Sequence, residues 1–288
     1  MIRSLFTGIS GLTNSQERMD VIGNNLANVN TVGFKASRVS FADSISQTLK
    51  ASSPATTGTS GDSSMQVGTG VTTSGISTLY NAGAVSRTSV PTDLALVGEG
   101  YFVVKDTVTS EQFATRAGDF RVDSNGYLVT SAGLRVQGFS PAAGAALDSA
   151  LGDVKIQNPT AGSTATVDGY SFGSDGKVNV RLSDGTQAVS GQILLQKFND
   201  PQALMKVGNS LYSGISNAGP LTWAAGGIVG IPNQAGIARI ESGALELANV
   251  DMATEFTNMI TTQRAYQASA RVISTSDELL QELVNLKR

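Results

Sequence analysis

The 288-residue sequence contains no cysteine and no histidine. That excludes disulfide bonds, Cys/His zinc sites, thiol nucleophiles and every mechanism that needs an imidazole base. Charge is scarce: Asp, Glu, Lys and Arg together make up 15%, against a usual ~25%. The 20 bases are scattered and the net charge is −3, which argues against a phosphate-binding face and so against a nucleic-acid partner. No apolar run approaches the ~18 residues of a membrane span. The amino terminus has one early base but no apolar block of signal-peptide length, so no cleaved signal and no membrane insertion are expected. What the chain does have is 32 glycines and 40% hydrophobic residues, enough to build a core joined by many turns.

Both ends carry seven-residue periodicity. Leu5, Leu12, Met19 and Leu26 are seven apart, and Ile2 and Ile9 begin a companion row that continues through Gln16 and Gly23. The pattern predicts a helix with a narrow apolar face, ended by Asn24, Asn25, Asn28, Asn30 and Gly33. At the other end Met252, Met259, Tyr266, Ile273 and Leu280 form one row, and Phe256, Gln263, Ala270, Asp277 and Val284 the other. Asp251 suits the N-cap and Lys287-Arg288 the negative end of the helix dipole. Long helices with so narrow a stripe cannot build a thick core. They need partners, most simply the same helices of other copies.

Between the ends, residues 31–75 read as a connector. It holds a short segment from Phe34 to Phe41, a helical turn over Asp43–Lys50, and a flexible loop over 51–64 that is rich in Ser, Thr and Gly. Residues 76–250 read as many short strands, among them Tyr101–Val104, Asp119–Val122, Tyr127–Thr130, Lys177–Leu182 and Gln192–Gln196. Asn125-Gly126, Asp175-Gly176 and Asp184-Gly185 mark tight turns between strands. The expected fold is mainly β with α-helical termini. An antiparallel β body, sandwich-like or barrel-like, joins a two-helix coiled-coil domain made of residues 1–30 and 251–288.

Motifs of enzyme chemistry do not survive their context. Gly169-Tyr-Ser-Phe-Gly173 has the spacing of a nucleophile elbow, but there is no histidine to serve it, and its flanks are strand and turn. Ser174 to Lys177 spans a hairpin turn, and Gly98-Glu-Gly100 lacks the third glycine of a dinucleotide loop. The stretch from Arg121 to Ala132 lacks the first and last carboxylates of a calcium loop. A glycan hydrolase using Glu99, Asp119 and Asp123 would need no histidine, but nothing in the sequence pairs two of them. No catalytic residue, cofactor or metal is expected. A secreted adhesin or capsid-like β protein would have no use for seam helices at both ends.

Three segments carry a family resemblance. Gly8-Ile-Ser-Gly-Leu12 with Met19 through Lys35, which holds Asn24, Asn25, Asn28, Gly33 and Phe34, is similar to the amino-terminal signature of bacterial flagellar rod and hook proteins. Thr92 to Phe102, with Asp93, Gly98, Gly100 and Phe102, resembles their central segment, continued by Phe113–Phe120. Ser242 to Leu286 resembles their carboxy-terminal helix. The resemblance implies a non-enzymatic subunit of the flagellar hook or basal body that polymerises with itself into a hollow helical tube for motility. It also implies export through the flagellar type III apparatus, assembly beneath a cap, and adjacent rod and hook–filament junction proteins as neighbours. Val21-Ile-Gly-Asn-Asn25 and the ending from Thr275 resemble short hook proteins, which makes a torque-transmitting hook subunit the expectation and a distal rod subunit the alternative. The implied assembly contacts are Ile2, Leu5, Ile9, Leu12, Met19, Leu26, Met252, Phe256, Met259, Tyr266, Ile273, Leu280 and Val284.

Overall fold

A computed structural model describes residues 2–54, 60–140, 151–159, 165–221, 230–234 and 236–286, without the side chain of Ile2. The chain divides into two units. The first comprises residues 1–27, 36–79 and 250–288, the second 28–35 and 80–249. Among the described residues no helix is long and apolar enough to cross a membrane.

The first unit contains helices α1 (Ile2–Ala27) and α2 (Met252–Leu286) and strands β1 (Ser37–Asp43), β2 (Ser46–Lys50), β3 (Met65–Gly68) and β4 (Val71–Thr78). The helices are ~39 Å and ~52 Å long at 1.5 Å per residue. Asp251 caps α2: its carboxylate accepts from the Ala253 amide at 3.0 Å and the Thr254 hydroxyl at 2.7 Å. These bonds hold its carboxyl below the usual range, the Thr254 hydroxyl most of all. Lys287 and Arg288 lie outside the described residues.

The expected helical turn over 43–50 is instead strand β2, which pairs antiparallel with β3 from Ser46 opposite Gly68 to Lys50 opposite Met65. A bridge between Ser53 and Asp62 and an ion pair from Lys50 to Asp62 continue the ribbon into the stretch read as a flexible loop, whose residues 55–59 lie outside the described set. The partners come from a distant stretch, so pairing overrides the weak local preference of Ser-Gln-Thr-Leu-Lys. β1 pairs with β4 in the same sense. Residues 36–79, expected to fall mostly in a connector, thus form two successive ribbons that group with the helices.

The second unit is antiparallel β. Among the described residues its main sheet runs in the order 167–172, 177–182, 187–193, 135–139, 101–105, 112–115, 211–213 and 205–208. Two small pairs, 94–97 with 239–242 and 85–87 with 244–246, accompany it. Period-2 alternation places the core. On the strand Tyr101–Lys105, Phe102 and Val104 enter the main cluster with Leu94, Leu128 and Ile193. Tyr101 faces the other way, into a second cluster with Tyr212, Phe198 and Leu204. Gly126, Gly176 and Gly185 all have φ near +80°, as the expected Asn-Gly and Asp-Gly turns require. The elbow-like Gly169–Gly173 lies on and just after a hairpin strand, with Gly173 at the turn.

Candidate assembly interface

The two terminal helices pack antiparallel: Ser4 Oγ is 3.3 Å from Ser276 Oγ, Gly8 faces Ile273, and Gly11 faces Ser269. A Cβ added at Gly8 would stand 3.0 Å from Ile273 Cγ1, and one at Gly11 3.0 Å from Ser269 Oγ. The contact is built from small residues because they let two backbones approach closely. Thr262 and Ser276 of α2 are buried, as are Gly8 and Ile22 of α1.

Side-chain amides tie the ribbon to α1. Asn25 Nδ2 donates to the Ser37 carbonyl at 2.8 Å, and the Ser37 amide returns a bond to Asn25 Oδ1 at 2.9 Å. The buried side chain thereby satisfies both polar backbone groups of Ser37, as a neighbouring strand would. Asn14 donates to the Val71 carbonyl and accepts from Thr73, both at 2.7 Å; Thr73 also bonds Glu17.

The buried apolar content of this unit is small. Among the described residues its fully buried hydrophobic side chains are Ile22 and Ala36. The large apolar side chains point outward: Phe6, Ile9, Met252, Phe256, Ile260, Val272, Leu279, Leu283, Val284 and Leu286 on the helices, and Ile45, Leu49, Met65 and Val67 around β2 and β3. Of the expected seam residues, Leu5, Leu12, Met19, Leu26, Met259, Tyr266, Ile273 and Leu280 are half-buried. Ile9, Met252, Phe256 and Val284 are exposed, and Ile2's side chain lies outside the described residues. In the first row of α2, Met259 to Leu280 is half-buried, with Ile273 against Gly8 of α1, while Met252 is exposed; the companion row is displaced in part. Glu255, Thr262 and Ser276 turn inward where Phe256, Gln263 and Asp277 were expected, and Ser269 is half-buried beside the equally half-buried Ala270. A groove of about 420 Å³ runs beside the helix pair, lined by Gly11, Ser15, Arg18, Phe41, Ala265 and Ser269 among others.

The resemblance residues of the second unit set its backbone. Gly33 has φ +66°, and a Cβ there would stand 2.6 Å from the Ala117 amide nitrogen; its own amide donates to the Glu246 carbonyl at 2.8 Å. Phe34 lies under the Lys206 ammonium at 4.9 Å, and Asn28 accepts the Thr31 hydroxyl at 3.1 Å. Asp93 accepts the Thr88 hydroxyl at 2.6 Å, and Phe102 meets Phe120 edge to face at 4.9 Å. Gly98 and Gly100 form the turn between strands 94–97 and 101–105. Asn24 is exposed on the last turn of α1.

Sequence reasoning missed a buried ionic cluster in this unit. Lys35 and Glu246 have no exposed side-chain surface, and Lys35 Nζ lies 2.6 Å from Glu246 Oε1. Arg116 Nη1 reaches Glu246 Oε2 at 3.2 Å and stacks 5.1 Å over the Tyr101 ring. The Gly83 amide donates to Glu246 Oε1 at 2.9 Å, and Lys35 also donates to the Asn81 carbonyl at 2.8 Å. Burial pushes the Lys35 ammonium down, against the pull of Glu246. Burial likewise pushes the Tyr101 and Tyr212 hydroxyls far up. One carboxylate thus serves two cations, tying residues 35, 83, 116 and 246 of the unit together. No local pattern announces such a set, because Lys35 and Glu246 are 211 positions apart.

The acids weighed for hydrolysis sit in separate settings. Glu99 is held low by its contact with Lys197 at 2.6 Å, and Asp123 by the amide of Ser124 within its own turn. Asp119 is half-buried, and burial raises its carboxyl above its ordinary 3.8. A raised acid favours its neutral form in the folded state. Below about pH 3.8 both states are protonated and nothing is lost; as pH rises the unfolded chain ionises first and stability falls. Asp119→Asn is therefore expected to raise the urea midpoint at pH 7 and to match the wild type at pH 3. An equal midpoint at pH 7 would contradict this.

Comparison with known proteins locates these features. Residues 5–35 match the family model "Flagella basal body rod protein", 95–180 match "Flagellar hook protein FlgE/F/G D1 domain", and 241–286 match "Flagellar basal body rod FlgEFG protein C-terminal". The chain is 42% identical over 288 residues to the flagellar basal-body rod protein FlgG of Bacillus subtilis (strain 168), with 100% of both chains covered. It is 34% identical over 291 residues to the FlgG of Borreliella burgdorferi, again with 100% of both covered. The flagellar hook protein FlgE of the same Borreliella strain is 28% identical, also with 100% of both covered, but over an alignment of 449 positions.

Proposed function

The chain belongs to the flagellar rod and hook protein family and is a structural subunit of the bacterial flagellum; within that family, we propose that it is a distal rod subunit rather than the hook subunit that Val21–Asn25 and the ending from Thr275 suggested. The observation that carries this reading is length. The 42% match to a rod protein fills 288 positions end to end, whereas the match to a hook protein needs 449, so the hook relative carries sequence that this chain lacks.

The physical account follows from the first unit. Its helices bury little of their own apolar surface and present large side chains outward. Each such side chain contributes ~1.5–3 kcal/mol when fully covered, and a second copy is the natural cover. A contact between two different patches, repeated with a screw rotation, never closes and yields a helical tube. The seam residues from Leu5 to Leu26 and from Met252 to Val284 are the proposed contacts, with the β unit as the compact body each copy carries. This reading has the flagellar export apparatus, an assembly cap, rod proteins below and the hook above as partners. The separate local engagement of Glu99, Asp119 and Asp123 supports a structural role over a catalytic one.

Deleting the gene and imaging isolated basal bodies tests the reading. Rods that stop short of their distal part are expected. Complete rods without hooks would restore the hook assignment, and intact flagella would remove both.

A further inference from the structure

The second unit contains a cavity of about 250 Å³, lined by Tyr80, Tyr101, Phe198, Arg116, Lys197 and Glu99 among others. At ~30 Å³ per water it has room for a small molecule or a single side chain, and none for a folded segment. Its charge is not balanced from within. Arg116 is 3% exposed and shares the carboxylate of Glu246 with Lys35, so two buried cations have one buried anion between them. One guanidinium donor is also idle: among the described residues, Arg116 Nε is buried without a hydrogen-bond partner. A buried donor with no acceptor is rare and destabilising, and an arginine cannot escape the cost by losing its proton.

Beside it stands a second cation whose partner is replaceable. Lys197 Nζ lies 2.6 Å from Glu99 Oε2, with the two side chains 27% and 76% exposed. Glu99 is the middle residue of Gly98-Glu99-Gly100, whose glycines have φ of +122° and +154°. A carboxylate on such a turn, mostly in water, is held by a pair of the weak surface kind. Another carboxylate can therefore take its place at small cost. Aromatic walls, a buried guanidinium and a half-buried ammonium together select an organic carboxylate over a fully hydrated inorganic anion.

We propose that this cavity binds one carboxylate carried on a short apolar body, its oxygens accepting from Arg116 Nε and Lys197 Nζ once Glu99 has swung out. A free organic acid and a glutamate side chain of a neighbouring polypeptide offer the same chemistry. The site lies within one unit, so the inference goes beyond the assembly reading and stands whether the chain is a rod or a hook subunit.

Sodium benzoate is the probe, titrated into the full-length chain while the proton–nitrogen signal of Arg116 Nε is followed by NMR. Benzamide keeps the ring and loses the charge; inorganic phosphate keeps charge and loses the ring. Benzoate is expected to move the signal saturably, and neither control to do so. Lys197→Met should weaken benzoate by ~10-fold or more, the worth of one charge-assisted hydrogen bond. Glu99→Gln should tighten it, because the internal competitor loses its charge. Opposite effects from the two halves of one ion pair are not what a purely structural pair would give. N-acetylglutamate N-methylamide distinguishes the sources: tighter binding than benzoate supports a polypeptide side chain, weaker binding a free acid. No shift with either carboxylate in the wild type and in Glu99→Gln would overturn the proposal. So would an equal response to phosphate, or weaker benzoate binding by Glu99→Gln than by the wild type.

Discussion

Replacing Glu246 by alanine is expected to destabilise the β unit by about 3–5 kcal/mol, the usual cost of breaking a buried ion pair from one side. For a domain of 150–250 residues each kcal/mol moves Tm by ~2–4 °C, so a fall of roughly 6–20 °C should appear in a thermal melt. The loss comes from what is left behind. Glu246 accepts from Lys35, Arg116 and the Gly83 amide. Lys35, already pushed down by burial, can shed its proton; Arg116, 3% exposed, cannot. Lys35→Met should cost less, because Glu246 keeps Arg116 and Gly83. Glu246→Gln should fall between the two, since it keeps an acceptor for Gly83 but drops the charge. If Glu246→Ala melts within 2 °C of the wild type, or Lys35→Met is the more damaging change, the carboxylate is not the centre of the cluster.

This cluster marks a boundary of what the sequence discloses. A lysine after a glycine and an aromatic reads as a solvated loop residue, and only the fold brings residue 246 to it. Local signals carried further. The cap at Asp251 and the Asn-Gly and Asp-Gly turns are present as anticipated, because each is decided within a few residues. The helices were legible as helices, and so, apart from the exposed Met252, was the half-burial of the row from Met252 to Leu280. The companion rows were not, because the closest contacts are glycine and serine, which register as neutral in any hydrophobic pattern. β2 was read as helix for a related reason: its partner β3 lies across a long loop, and no local preference reports such a pairing. The family could be read from the motifs at both ends and in the middle; the proposal of rod over hook rests instead on the aligned lengths of the relatives.

Replacing Ile273 by aspartate is expected to abolish tube formation while leaving the β unit folded. Ile273 is half-buried against the open face of Gly8, where an added Cβ would already touch it at 3.0 Å. A carboxylate there loses water without gaining a donor from a glycine. Charged, it incurs a penalty of at least ~1–3 kcal/mol by the scale for unpaired polar groups. The first unit has little in reserve, since Ile22 and Ala36 are its fully buried hydrophobic residues among those described. Separating α2 from α1 also removes the antiparallel register on which the outward rows depend, so the cost recurs at every copy along a polymer. The expected signature is fast amide exchange over 2–27 and 252–286, a β-unit melting transition within 2 °C of the wild type, and no tubes by electron microscopy. Ile273→Val, which keeps the apolar contact with slightly less volume, should assemble. Normal tubes from the aspartate variant would show that this face of the helix pair is not what holds copies together.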